Sequence, residues 1–216
     1  MAIRRIDVSP ARFSGWIDSF CHIHGPVTTE SDETTVTYRA ADGTVVRCAV
    51  PFPPPPGADG AAGPGEVAQR IAEHATADRT VGVLLVRLGG YAAGVFTGTV
   101  PVLAASKVGS RLVHGRSAAG GTSQRRFARR RENQAHEALA AAADTAAAVF
   151  GRYALDALVL GGDRRAIAAV RRDVRLARYF ERAVDMFLTV PDPRLTVLRD
   201  TPRLFRAIRI TLTEPD

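Results

Sequence analysis

The chain has 216 residues, 46% hydrophobic and 24% charged, ordinary proportions for a soluble globular protein with one main core and a small appendage. No run approaches the roughly 20 apolar residues of a membrane helix, and Met-Ala-Ile-Arg-Arg-Ile-Asp has no apolar leader with a cleavage site, so the expected location is the cytoplasm with no membrane partner. The net charge of +7 is local: Lys107, Arg111, Arg116, Arg125, Arg126, Arg129, Arg130 and Arg131 carry +8 with no acid among them, so a polyanion is the natural partner of this one segment.

In chain order, Ser9-Pro10 predicts a helix start, with a serine cap and proline at the first helical position. Phe13, Trp16, Ile17 and Phe20 recur at helical spacing, and Gly25-Pro26 stops the run. Residues 34–39 and 44–50 alternate around Asp42-Gly43 and read as a hairpin. These elements make residues 1–50 a small N-terminal α+β extension. Residues 51–65 are rich in proline and glycine and read as an exposed linker. Residues 66–216 read as the main domain. It holds a helix over 66–77, strands over 81–88, 91–99 and 102–108, and one long alanine-rich helix over 123–150. A strand over 155–160 turns at Gly161-Gly162 into a helix capped by Asp163. A strand over 185–190, a short helix over 193–199 and a last strand over 204–212 complete it. A meander followed by β/α alternation predicts an α/β (mixed α+β) fold, a mixed sheet flanked by helices.

The chemistry concentrates between residues 114 and 131. His114-Gly115-Arg116 is followed by Ser117-Ala118-Ala119, then Gly120-Gly121, Thr122-Ser123-Gln124 and Arg125-Arg126-Phe127-Ala128-Arg129-Arg130-Arg131. The glycines let the backbone approach a ligand closely. The first-turn amides of the predicted helix, near Ser123 to Arg126, favour phosphate or a developing oxyanion. Wound at 100° per residue, Arg125, Arg126, Arg129 and Arg130 share an arc of roughly 140°. Phe127, Ala138, Ala141, Ala142, Thr145 and Val149 fall opposite, as a core face. Residue chemistry alone leaves three readings open here: an RNA-binding face, a solvated basic face, or a catalytic loop.

At these residues the sequence resembles the catalytic middle domain of eukaryotic and archaeal class-one translation release factors. That family carries a His-Gly-Arg-Gly-Gly-Gln loop followed by an Arg-Phe-Ala-Arg helix. Here the counterparts are His114-Gly115-Arg116, Gly120-Gly121 and Arg126-Phe127-Ala128-Arg129. The resemblance covers about residues 79–190, including Val81 to Leu85, Tyr91 to Gly98 and Leu158 to Gly162. In this register Thr122 occupies the family's glutamine position, and glutamine comes two places later as Gln124. The resulting GxxQ spacing, Gly121-Thr122-Ser123-Gln124, resembles the Vms-like release factors associated with ribosome-associated quality control.

The resemblance implies a ribonuclease H-like release-factor catalytic domain over 66–216, without that nuclease's metal-binding acids. It implies a metal-independent peptidyl-tRNA hydrolase with no cofactor, in which Gly120, Gly121 and Gln124 form the catalytic tip. His114, Arg116, Ser123, Arg125, Arg126, Arg129 and Arg130 are the expected RNA contacts. The implied partners are the large ribosomal subunit at its peptidyl-transferase centre and peptidyl-tRNA, with no DNA, the chain acting as a monomer. Removal of the tRNA 3′-CCA end, or ribosome and tRNA binding without catalysis, are the alternatives. Elsewhere, Cys21-His22-Ile23-His24 lacks partner ligands at metal spacing, and Cys21 and Cys48 read as reduced thiols. No P-loop or GxGxxG indicates a nucleotide.

Overall fold

The computed structural model describes residues 2–57, 62–87, 89–110 and 122–215, with side chains for all of these except 122–132. The elements run β1 (Ala2–Val8), α1 (Pro10–His24), β2 (Val27–Ser31), β3 (Thr35–Ala40), β4 (Val45–Ala49), α2 (Pro64–Thr76), β5 (Val81–Arg87), β6 (Gly90–Thr97), β7 (Val102–Ser110) and α3 (Thr122–Phe150). They continue with β8 (Ala157–Gly162), α4 (Arg164–Val170), a 3-10 turn (Val174–Leu176), α5 (Ala177–Phe180), β9 (Ala183–Leu188), α6 (Leu195–Arg199), α7 (Thr201–Phe205) and β10 (Ile208–Glu214). They form two compact units, residues 1–77 with 202–216, and residues 78–201.

The first unit is an antiparallel sheet in the order β1-β10-β4-β3-β2. Strand alternation sends Ile208, Ile210 and Leu212, Val46 and Cys48, and Val36 and Tyr38 to one face. The apolar stripes of the two helices, Phe13, Ile17 and Phe20 from α1 with Val67, Ala68 and Ile71 from α2, complete that core. Helix α1 starts at Pro10 and stops at Gly25, whose φ of 80° and amide bond to the Cys21 carbonyl end the helix as glycine does best. The hairpin turn is held by Asp42, whose Oδ1 accepts from the Thr44 amide at 2.8 Å.

This unit departs from the sequence reading in three ways. The extension supplies a helix and four strands rather than a helix and one hairpin, with β1 and β2 added to the expected pair. Helix α2 and strand β10, assigned to the main domain from sequence, pack in this unit instead. The segment expected as an exposed linker starts buried: Phe52 is 6% exposed, meets the Phe205 ring edge-on at 5.9 Å, and its carbonyl accepts from His74 Nε2 at 2.8 Å.

The second unit is a mixed sheet in the order β7-β6-β5-β8-β9. Strands β5, β6 and β7 form an antiparallel meander, while β8 and β9 extend it in parallel from β5. Strand β5 is central and its residues Val81 to Val86 are buried, as expected for a strand covered on both faces. Leu84, Val86, Leu158 and Leu160 meet Ala142, Ala146 and Phe150 of α3, Ile167 of α4 and Tyr179 and Phe180 of α5. On the opposite face Leu198 of α6 lies against Gly94. The mixed sheet flanked by helices is the architecture the alternation predicted.

Candidate functional site

Two elements bracket the glycine-rich segment, β7 on its upstream side and α3 downstream. Strand β7 pairs with β6 from Thr97↔Val102 to Gly90↔Ser110, with a register shift at Val95/Phe96. His114, Arg116, Gly120 and Gly121 lie outside the described residues. Ser123, Gln124, Arg125, Arg126, Arg129 and Arg130 occupy the first turns of α3, whose backbone is helical from Thr122. Their side chains are likewise outside the described residues. The chain therefore places Gln124 on the first turn of a 29-residue helix.

The downstream half of α3 fixes that helix to the sheet. Ala142, Ala143, Thr145, Ala146, Val149 and Phe150 are buried. This stripe is rotated from the predicted core face, which had included Ala138 and Ala141; both are only half-buried. The reason is size. Phe150 is buried in the sheet core and Leu139 packs against it, and these two bulky side chains turn the helix toward themselves, whereas a wheel that weights every alanine equally points elsewhere. Phe150 packs edge-on against Tyr179 at 5.5 Å. The outer face, Asn133, His136, Glu137, Ala140, Asp144 and Ala148, is exposed. Arg175 braces it from the 3-10 turn, with Nη2 donating to Asp144 at 2.7 Å and Asp173 at 2.6 Å. These two carboxylates raise the guanidinium pKa, and Arg175 in turn lowers that of Asp173.

Beside the upstream part of α3, an apolar crevice of about 260 Å³ is lined by Val86, Tyr91, Ala135, Leu139, Asp163 and Arg165, among others. Among the described residues its one carboxylate is already engaged. Asp163 Oδ1 accepts from the amides of Arg165 at 2.7 Å and Ala166 at 3.1 Å, and its own amide donates to the Val86 carbonyl at 2.7 Å. The two glycines before it are needed for packing. A side chain on Gly161 would stand 2.8 Å from the Leu188 carbonyl oxygen, and Gly162 has φ +99° with the Val86 carbonyl against it. The turn is thus a helix cap on a closely packed strand, as its sequence indicated. Arg87, at the end of β5, donates from Nη1 to the Val190 carbonyl at 2.7 Å and pairs with Asp192 at 3.7 Å.

Of the remaining polar candidates, His24 has a structural partner. His24 Nδ1 meets Asp42 Oδ2 at 2.7 Å, and this contact is the chief reason the Asp42 carboxyl titrates below the ordinary range. Cys21 is half-buried and Cys48 buried, and both are free. Burial raises both thiol pKa values, with the Asp18 charge adding to the effect at Cys21. Neither is set up as a nucleophile. Among the described residues, no three His, Cys, Asp or Glu side chains come together as metal ligands would, and no helix is long and apolar enough to cross a membrane.

A family model described as the Actinobacteria/chloroflexi VLRF1 release factor matches residues 79–211. The chain belongs to the VLRF1 release factor family. The VLRF1 match begins just before β5 and ends within β10, so it contains the second unit's sheet and all of α3. It also runs past residue 190, where the sequence resemblance ended. No curated protein matches the chain. Among solved structures, the archaeal translation termination factor aRF1 is similar, at 12% identity and a TM-score of 0.39. That similarity covers 75% of this chain and 47% of the archaeal one.

Proposed function

We propose that this VLRF1 release factor is a peptidyl-tRNA hydrolase that frees nascent peptides from stalled ribosomes. The observation that carries the reading is the Gly121-Thr122-Ser123-Gln124 motif at the start of α3, inside the region matching the family. In this reading residues 111–124 are the tip that enters the peptidyl-transferase centre of the large subunit. Gly120 and Gly121 give its backbone close approach, and the Gln124 amide orients one water against the ester. The water oxygen bonds to the ester carbonyl carbon, the bond to the ribose oxygen breaks, and that oxygen takes up a proton as free tRNA leaves. No metal or cofactor is required by this chemistry.

The arginines supply the grip. In helical register, positions 126 and 130 align with the exposed residues Asp144 and Ala148, while positions 129 and 125 align with half-buried Ala147 and buried Ala143 at the edge of that face, so Arg126 and Arg130 are the best suited to a phosphate backbone. His114, Arg116 and Ser123 add contacts along the tip. Four neutralised phosphates give a single-strand salt slope near −3 in log–log terms. Residues 78–201 carry the chemistry, and the protein acts as a monomer in the cytoplasm, where translating ribosomes are.

Stalled ribosome–nascent-chain complexes test this directly, following peptide and tRNA together. Freed peptide with an intact CCA end is expected, with Gln124→Ala retaining ribosome binding and losing release. A shortened tRNA would assign CCA removal instead, and no release by the unmodified protein would leave a binding factor without chemistry.

A further inference from the structure

The sheet of the first unit has a second face that neither α1 nor α2 covers. Strand alternation and register place on it Arg5 and Asp7 of β1, Arg209 and Thr211 of β10, Arg47 of β4, Thr35, Thr37 and Arg39 of β3, and Glu30 of β2. Arg5, Thr211, Arg47 and Thr37 stand in one row across four strands. Arg5 and Arg47 are therefore about 10 Å apart at their Cα atoms, two strand spacings. Arg209 lies two residues along β10 from Thr211, and a shallow depression of about 390 Å³ runs over Arg5, Arg47, Arg209 and Thr35.

The charge on this face runs against that of its own unit. Residues 1–77 and 202–216 contain nine arginines and eleven acids, a net −2. Four of the nine arginines and only two of the acids are on the uncovered face, so the face is basic and the remainder of the unit acidic. Arg39 is occupied by Glu30 at 3.4 Å. Asp7 faces Arg209 across β1 and β10, yet among the described residues Arg5, Arg47 and Arg209 form no ion pair; Arg5 and Arg47 are exposed and Arg209 half-buried. Threonine hydroxyls stand beside them as further donors to phosphate or ribose oxygens. No aromatic side chain is on the face, so it offers no platform for unstacked bases.

We infer that this sheet face is a second RNA-binding surface, one that grips double-helical RNA through its sugar-phosphate backbone without reading sequence. It deepens the proposed function: α3 and its tip would follow single-stranded tRNA ends, while Arg5, Arg47 and Arg209 hold a duplex. Three phosphate contacts amount to a duplex salt slope of about −2.7, at roughly −0.9 per phosphate.

The test uses the full chain, a mixed-sequence RNA duplex of about 20 base pairs and the matching single strand, titrated at several salt concentrations. The triple variant Arg5→Gln, Arg47→Gln, Arg209→Gln should bind the duplex at least tenfold more weakly, with a slope shallower by about 2.7, and bind the single strand within twofold of the unmodified chain. Arg47→Gln alone should show about a third of the slope change. Unchanged duplex affinity, or equal loss on duplex and single strand, overturns the inference. So does retained duplex binding with loss of binding to an acidic ribosomal protein freed of RNA, which would make the face a protein dock. On stalled ribosomes the triple variant should need more protein for half-maximal release yet reach the unmodified maximal rate. Duplex binding that survives while the unmodified chain releases no peptide sinks the hydrolase reading alone; release that survives while the variant still binds duplex normally sinks this inference alone.

Discussion

Replacing Asp163 with alanine removes the acceptor that holds the amides of Arg165 and Ala166 at 2.7 and 3.1 Å. Helix α4 is seven residues long, so these two bonds satisfy a large part of its free amides. Loss of such a cap costs about 1 kcal/mol and at most about 2. The Asp163 amide still donates to Val86, so the turn itself is retained. One kcal/mol corresponds to a roughly fivefold rise in the population of opened α4, since 1.4 kcal/mol is a factor of ten. Hydrogen exchange at the amides of residues 165–170 reads that rise. Asp163→Ser keeps a capping oxygen without the charge and should stay within a few tenths of a kcal/mol of the parent. Equal exchange in the parent and Asp163→Ala would refute the cap. So would equal acceleration in Asp163→Ala and Asp163→Ser, because the carboxylate charge rather than the accepted bonds would then matter.

Phe150→Ala empties a fully buried ring site between α3, the sheet and Tyr179 and should cost about 3–5 kcal/mol, read as a lower urea midpoint by circular dichroism; a loss below about 1 kcal/mol contradicts the packing described. The Asp42 carboxyl pKa is depressed, first by His24 and then by the Thr44 amide. A depressed folded-state pKa contributes stability that is present above the unfolded value, near 3.9, and is lost as pH falls through the folded value. Asp42→Asn should therefore flatten the thermal midpoint's fall below about pH 4, and an unaltered acid limb would reject the pairing. The Tyr38 hydroxyl is buried with no hydrogen-bond partner among the described residues. Tyr38→Phe should leave the thermal midpoint equal or higher, because it removes an unsatisfied polar group, and a marked loss would mean that the hydroxyl has a partner.

Local signals in the sequence located most elements of the second unit. The β-branched runs of β5 to β7, the alanine-rich α3 and the Asp163 cap are set by residues close to one another. Edges moved where the deciding contact was distant. Strand β8 runs on through Gly161 and Gly162 because they pair with Leu85 and Val86. The last strand starts at Ile208, not Leu204, because Thr201-Pro202 opens α7 first, with proline suited to a first helical turn. Strand β1 was invisible for a different reason. Only Val8 of its seven residues is buried, so Ala2 to Asp7 shows no apolar alternation, and its pairing with β10 is some two hundred residues away in the chain. The charge block and the GxxQ motif were legible as residues next to one another. The basic sheet face was not, since Arg5, Arg47 and Arg209 come from three separate strands and meet only through register.

The place of β10 between β1 and β4 has a consequence for synthesis. Residues 208–214 are made only after all of residues 78–201, yet they form the inner strand that joins β1 to β4. At roughly 5–20 residues per second, the amino-terminal half-sheet waits on the order of ten seconds with an unpaired strand on each side of the gap. The second unit has its own complete strand set and needs nothing from beyond residue 201 to close its sheet. During translation the later-encoded unit can therefore mature first, and a chain stopped short of residue 208 would retain the complete sheet of the second unit while its amino-terminal sheet stayed open.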